Sequence, residues 1–383
     1  MMTDNLFTSM TIGGLTLDNR VGVAPMTRTS ATPEGLATEA MISYYASFAH
    51  GGFGFIITEG IYPDDKFSQG YLNQPGLVTN EHVQSWRRVV EAVHQEGGKI
   101  IAQLMHAGAL SQGNRFADTT IAPSAVLPKG EQMEFYGGKG PFREPREATK
   151  EDIQQMITGF AQAAKRAMSA GFDGVEIHGA NGYVLDQFLT DYTNRRLDEY
   201  GGSTENRVRL LVEVINAVKE AVGDKFTVGI RISQGKVNDY THKWAGREKE
   251  AAIIFGQIGT AKPDYIHVTE YEAWQPAFPE GEGTHATDPA FEKGQSSLAA
   301  LAKRYGGVPV MANGKLDNPD SASTILAKGE ADLITIGKGA LANHDWVNKV
   351  KHNQPLAVFQ PDKILSPDAT IKPFETELVR TPK

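Results

Sequence analysis

FDGVEIHGANGYVLDQF, Phe172 to Phe188, holds in miniature the construction of the whole chain. Gly171 before it marks the end of a helix. Phe172–Ile177 is a short, largely apolar run of the kind that fills a buried parallel strand. Where the run stops, His178, Asn181 and Tyr183 stand together. A His and an Asn three residues apart offer two hydrogen-bond donors to one acceptor, and a phenol two residues further on can hand over a proton. On this stretch alone, His178 as a strand-end cap and Tyr183 as a core aromatic account for the residues equally well. The choice depends on what the rest of the chain places beside them.

Seven further runs have the same short apolar character: Val21–Ala24, Phe53–Thr58, Ile100–Leu104, Phe226–Ile232, Tyr265–Val268, Pro309–Ala312 and Leu333–Ile336. Helical periodicity lies between them, as in Val83, Trp86, Val90 and Val93 after Asn80, or Ile153, Ile157, Phe160 and Ala164 after the N-cap Thr149. Ser203 opens a third such series, and Asn318-Pro319 opens a helix that Gly329 closes. Eight strand–helix alternations predict an α/β fold, a closed (β/α)₈ TIM barrel. The rival, a doubly wound open sheet, lacks its GxGxxG turn after the first strand. Residues 1–383 are expected to form a single domain.

Three stretches break the repeat. Met10–Asp18, with Gly13-Gly14, predicts a small hairpin capping the N-terminal mouth of the barrel. Ala107–Arg146, rich in Gly and Pro, is a long loop after the third strand, and so belongs to the C-terminal face where barrels keep their sites. Tyr271–Lys293, with Trp274, Phe278, His285 and Phe291, is expected to form a second lid. Residues 355–383, punctuated by proline, read as an irregular extension over the surface or a neighbouring subunit.

Composition removes several functions. A net charge of −8 without any basic run argues against nucleic acid. No apolar stretch is long enough to span a bilayer. MMTDNLFTSM lacks the basic start and apolar run of a signal peptide, so a cytoplasmic location is expected. With no cysteine there is no disulfide, thiolate metal site or cysteine nucleophile, and no HExxH-type pair suggests a metal. Redox chemistry would have to come from an organic cofactor.

The polar residues that follow the apolar runs are Pro25-Met26-Thr27-Arg28, Glu59-Gly60, Gln103 with His106, His178 with Asn181, Arg231, Asn313-Gly314-Lys315 and Gly337-Lys338. They gather at one rim. Alternation puts Arg231 on the face of Gly229 and Glu176 on the face of His178. Arg231 is therefore either half of an internal ion pair with Glu176 or a fixed positive charge in the barrel mouth. The two Gly-Lys turns, after strands seven and eight, are where barrels bind phosphate: glycine admits close backbone approach and Lys315 and Lys338 supply charge.

Several blocks taken together resemble the Old Yellow Enzyme family of FMN-dependent ene-reductases across nearly the whole chain. They are NRVGVAPMTR (Asn19–Arg28), ISYYASFAHGGFGFIITEG (Ile42–Gly60), IAQLMHAG (Ile101–Gly108), VEIHGANGYVLDQFL (Val175–Leu189), TNRRLDEYGGSTENRVRL (Thr193–Leu210), GIRIS (Gly229–Ser233), ANGK and IGKGALANHDW. The resemblance implies non-covalent FMN, reduced by NADPH or NADH, and an activated alkene as substrate. It makes Thr27, Gln103 and Arg231 contacts to the flavin ring, with Pro25, Met26, Gly60 and His178 around it. It makes Asn313, Gly314, Lys315, Gly337 and Lys338 the phosphate site, and His178, Asn181 and Tyr183 the catalytic and substrate-binding group. Met105 stands beside the substrate where many members have Trp, Lys338 where Arg is usual, and Thr27 where one subgroup has Cys. Phe374 is the candidate for an aromatic often supplied near the C-terminus. The alternatives are an FMN-dependent amine dehydrogenase or demethylase on the same barrel, and a flavin-free barrel isomerase or lyase. The resemblance leaves homo-oligomerisation open.

Overall fold

The computed structural model describes residues 3–279 and 295–377. A hairpin of β1 (Met10–Ile12) and β2 (Leu15–Leu17) precedes the barrel. In chain order there follow β3 (Val21–Val23), α1 (Glu39–His50), β4 (Phe55–Ile57), α2 (Asn80–Gln95) and β5 (Ile100–Leu104). The long loop after β5 pairs β6 (Ile121–Ala122) with β7 (Arg146–Glu147). Next come α3 (Lys150–Ala170), β8 (Gly174–Asn181), α4 (Val184–Leu189), α5 (Thr204–Val222), β9 (Thr227–Lys236), α6 (Arg247–Thr260) and β10 (Tyr265–Thr269). The chain ends with α7 (Leu298–Gly306), β11 (Val310–Asn313), α8 (Pro319–Ala327), β12 (Leu333–Ile336), α9 (Lys338–Ala342), α10 (Trp346–Lys351) and α11 (Pro361–Ile364). β3, β4, β5, β8, β9, β10, β11 and β12 pair in parallel, in that order, and close on one another. This is the (β/α)₈ barrel expected.

Local chemistry sets the helix limits. Thr79 and Thr149 cap α2 and α3 with reciprocal side-chain bonds to His82 and Asp152, and Gly171 ends α3 in the left-handed region at φ 94°. Ser203, Ser297 and Asn318 cap α5, α7 and α8 with their side-chain oxygens.

The barrel interior is layered. At the bottom, the hairpin's Ile12, Leu15 and Leu17 pack on Phe55, Ile57, Ile101, Tyr265, Met311 and Leu333. This closes the N-terminal mouth as the sequence suggested. Gly229 makes room in this layer: a Cβ there would sit 2.1 Å from the Tyr265 ring. Gly229→Val is therefore expected to destabilise the fold by at least about 1–3 kcal/mol through overpacking, read as a fall in the denaturation midpoint. If that midpoint did not move, the layer would not be packed as described.

Two strands run further than their apolar signal. β8 continues to Asn181 and β9 to Lys236, because pairing persists through His178↔Arg231 and resumes at Asn181↔Lys236 after a bulge between Gly179 and Asn181. His178 and Asn181 thus lie in a strand rather than just beyond one. The bulge, with Asn181 at φ 62°, re-aims the strand end. His285 and Phe291 of the expected second lid lie outside the described residues. Trp274 and Phe278 are described, with Phe278 buried.

Candidate active site

The C-terminal ends of the strands enclose a cavity of ≈ 290 Å³. Pro25, Met26, Thr27, Gly60, Gln103, Met105, His178, Asn181, Tyr183, Arg231 and Lys338 all line it. A second cavity of ≈ 720 Å³ is lined by Asn313, Gly314, Lys315, Gly337 and Lys338. Lys338 and Phe359 line both, so the two cavities adjoin. Each residue to which the resemblance assigns a flavin, phosphate or catalytic role lines one of the two cavities.

The upper layer holds the polar groups. His178 and Arg231 are register partners on β8 and β9. Arg231 is buried and donates to Asn313 Oδ1 at 2.9 Å, while its Nε has no partner. Burial pulls its pKa down to about 10, against the opposing influence of Glu176. Burial, then Arg231 and His267, hold the His178 pKa well below the usual imidazole value, so the ring is neutral; its Nδ1 is also buried without a partner. The Asn181 N–H bonds to Ser233 Oγ at 2.8 Å, which secures the bulge. The Tyr183 ring stands 5.1 Å from His178, and its hydroxyl shares a hydrogen bond with Tyr71. Burial raises the Tyr183 pKa to about 12, so the phenol keeps its proton.

The turn just after Thr27 is held by Glu59. This buried carboxyl, its pKa pushed up to about 7 by burial, accepts the backbone N–H of Arg28 at 2.9 Å and of Thr29 at 3.2 Å.

The ion pair expected as one choice for Arg231 does not form. Glu176 instead accepts from Gln103 Nε2 at 2.8 Å, His267 Nδ1 at 2.8 Å and Tyr265 OH at 3.2 Å. Arg231 keeps its charge for the cavity.

A family model described as NADH:flavin oxidoreductase / NADH oxidase matches residues 5–357. The chain belongs to this family. It is 36% identical to flavin oxidoreductase hxnT of Emericella nidulans, over 92% of each chain. It is 33% identical to a probable flavin mononucleotide-dependent alkene reductase of Leishmania infantum, again over 92% of each. The old yellow enzyme homologue from Zymomonas mobilis superposes with a TM-score of 0.85 at 29% identity, covering 98% of this chain and 100% of that one. The resemblance to Old Yellow Enzyme therefore holds, and as a member of this NADH:flavin oxidoreductase family the chain is a flavin-dependent oxidoreductase.

The residues present suit a flavin. Unpartnered Arg231 Nε and His178 Nδ1 are donors or acceptors awaiting a polar ring edge. Gly337 lines the larger cavity, and a Cβ there would make ordinary contact with Met26 Sδ at 3.6 Å. Among the described residues Lys338 makes no ion pair, whereas Lys315 is already held by Glu272 at 3.0 Å and lies over the Tyr271 ring. Of the two lysines, Lys338 is the one without a carboxylate partner among the described residues, its ammonium lying 5.9 Å from the centre of the Phe359 ring. Asn313 is spent on Arg231, Thr269 Oγ1 and the Thr335 carbonyl, so it steadies Arg231.

Sequence reasoning missed part of the wall. Met133, Phe135 and Tyr136 of the long loop and Phe359 and Leu365 of the C-terminal extension line the cavity, and buried Tyr71 supports Tyr183. Phe374 is not the C-terminal aromatic of this wall. It is partly exposed under Lys363, and Phe359 takes that place. The extension folds back on its own chain, where Arg28 grips it.

Proposed function

We propose that this family member is an FMN-dependent NAD(P)H oxidoreductase that reduces activated C=C bonds, those conjugated to a carbonyl or nitro group. The observation that carries the proposal is the meeting in one cavity of two neutral donors, His178 and Asn181, with a protonated phenol, Tyr183, and a buried guanidinium, Arg231. Gln103, Arg231 and Thr27 would hold the FMN ring, with Pro25, Met26 and Gly60 against it. Gly314, Gly337 and Lys338 would take the phosphate. Held there, FMN would supply hydride-transfer chemistry between NADH or NADPH and the alkene.

The chain's own residues do the rest. His178 and Asn181 hydrogen-bond the carbonyl or nitro oxygen and withdraw electron density from the β-carbon. Negative charge grows on that oxygen during the reaction, so the two bonds strengthen in the transition state. Tyr183 delivers its proton to the α-carbon, and Tyr71 stabilises the phenolate left behind. Met105, in place of the bulkier Trp common in the family, leaves extra room beside the substrate. Lys338 keeps the positive charge expected of Arg at that position but not its bidentate fork, so phosphate would be gripped less firmly.

Purified protein is expected to consume NADPH or NADH when given cyclohexenone or maleimide, and to release no formaldehyde from N-methyl amines. The reverse pattern would favour amine dehydrogenation on the same barrel.

A further inference from the structure

We infer that Glu176 is a positioning residue that fixes the Gln103 amide, so that the pocket accepts only a ring offering an N–H at that point. The inference rests on the flavin reading.

Glu176 is fully buried in the layer between the apolar floor and the cavity. That floor is built from Phe55, Ile57, Ile101, Met311 and Leu333. A layer needed only as filling would be less costly if apolar too, since a buried carboxylate loses its hydration. Glu176 is satisfied from several sides: Gln103 Nε2 on Oε1, and His267 Nδ1 and Tyr265 OH on Oε2. His267 is kept in place by Thr335 Oγ1 on its other nitrogen at 2.9 Å.

An ionised carboxylate only accepts hydrogen bonds. Gln103, its direct register partner on β5, must therefore turn its NH₂ toward Glu176. Gln103 also lines the cavity; with its NH₂ anchored on Glu176 the amide cannot flip, and the carbonyl oxygen is the acceptor it has free. An acceptor fixed there selects a donor. The pyrimidine half of a flavin carries one imide N–H, N3–H, between two carbonyls, and methylation of that nitrogen removes it. Ligands placing only acceptors at this point would be rejected, because the Gln103 oxygen would be left unpaired.

The test compares binding of FMN and 3-methyl-FMN to the flavin-stripped full chain by quenching of flavin fluorescence. The unaltered protein is expected to bind the methylated flavin roughly tenfold more weakly. In Glu176→Gln the amide is free to turn, and the ratio should fall toward one. Glu176→Asp keeps the charge but withdraws it by a methylene, and should lower the ratio as well. Met311→Ala, in the apolar floor, should cost stability without moving the ratio. Equal binding of both flavins by the unaltered protein would overturn the inference without any variant, as would a ratio that Glu176→Gln leaves unchanged. Failure to bind FMN at all would instead end the flavin reading, and this inference with it.

Discussion

Tyr183→Phe is expected to slow alkene reduction by about 10²–10⁴-fold, the usual contribution of a positioned proton donor. Reduction of the bound flavin by NADH or NADPH should continue near the unaltered rate, because that half-reaction needs no proton at carbon. The split follows from the place of Tyr183 in the cavity, 5.1 Å from the His178 ring. It also sets a pH dependence. Burial raises the phenol pKa to about 12, so the acid form is present at lower pH and is lost only as pH climbs through that value. Between about pH 6 and 10 the alkene step should not decline through loss of this proton. Tyr71→Phe, which removes the hydroxyl partner but not the donor, should have a smaller effect on the same step. Stopped-flow measurement of the two half-reactions separates these cases. If both half-reactions of Tyr183→Phe ran at full rate, the proton would come from elsewhere.

The second large effect concerns the C-terminal extension. Glu375→Ala should destabilise the protein by about 3–5 kcal/mol, since it strands a buried cation. Arg28 holds both Glu375 oxygens, at 2.6 and 2.7 Å, and adds bonds to the carbonyls of Ala369 at 2.8 Å and Thr370 at 3.1 Å. Neither partner of this pair reaches solvent. Arg28 directly follows Thr27, so the clamp joins the site to the segment that brings Phe359 and Leu365 into its wall. Loosening it should also weaken substrate binding, seen as a higher KM. A chemical denaturation curve unchanged from the unaltered protein would mean the clamp does not hold the fold.

The barrel was legible in the sequence because its strands are buried on both faces, so each appears as a continuous apolar run. The rim was legible for a related reason: parallel strands all end on the same side, so polar residues recurring at the ends of successive runs converge in space. Less could be read where partners come from distant segments. Glu176 pointed by alternation to Arg231, but His267 and Tyr265 on β10 outcompeted it, and sequence spacing does not reveal the registers β8↔β9 and β9↔β10 that place them. Tyr71 lies in an irregular stretch between β4 and α2, with no periodicity to aim it at Tyr183. Phe359 and Leu365 join the wall through an extension held by Asn343 at Ala357 and by Arg28 further on, the latter a contact spanning most of the chain. The bulge at Asn181 gives no sign in composition, although it orients one of the two proposed substrate donors.

The most direct test of a shared flavin and substrate site is an anaerobic spectral titration of the purified full chain. The expected result is a yellow protein that NADH or NADPH bleaches, and whose colour returns when cyclohexenone is added. A colourless protein that takes up no FMN, or a bleached one that no activated alkene reoxidises, would contradict it.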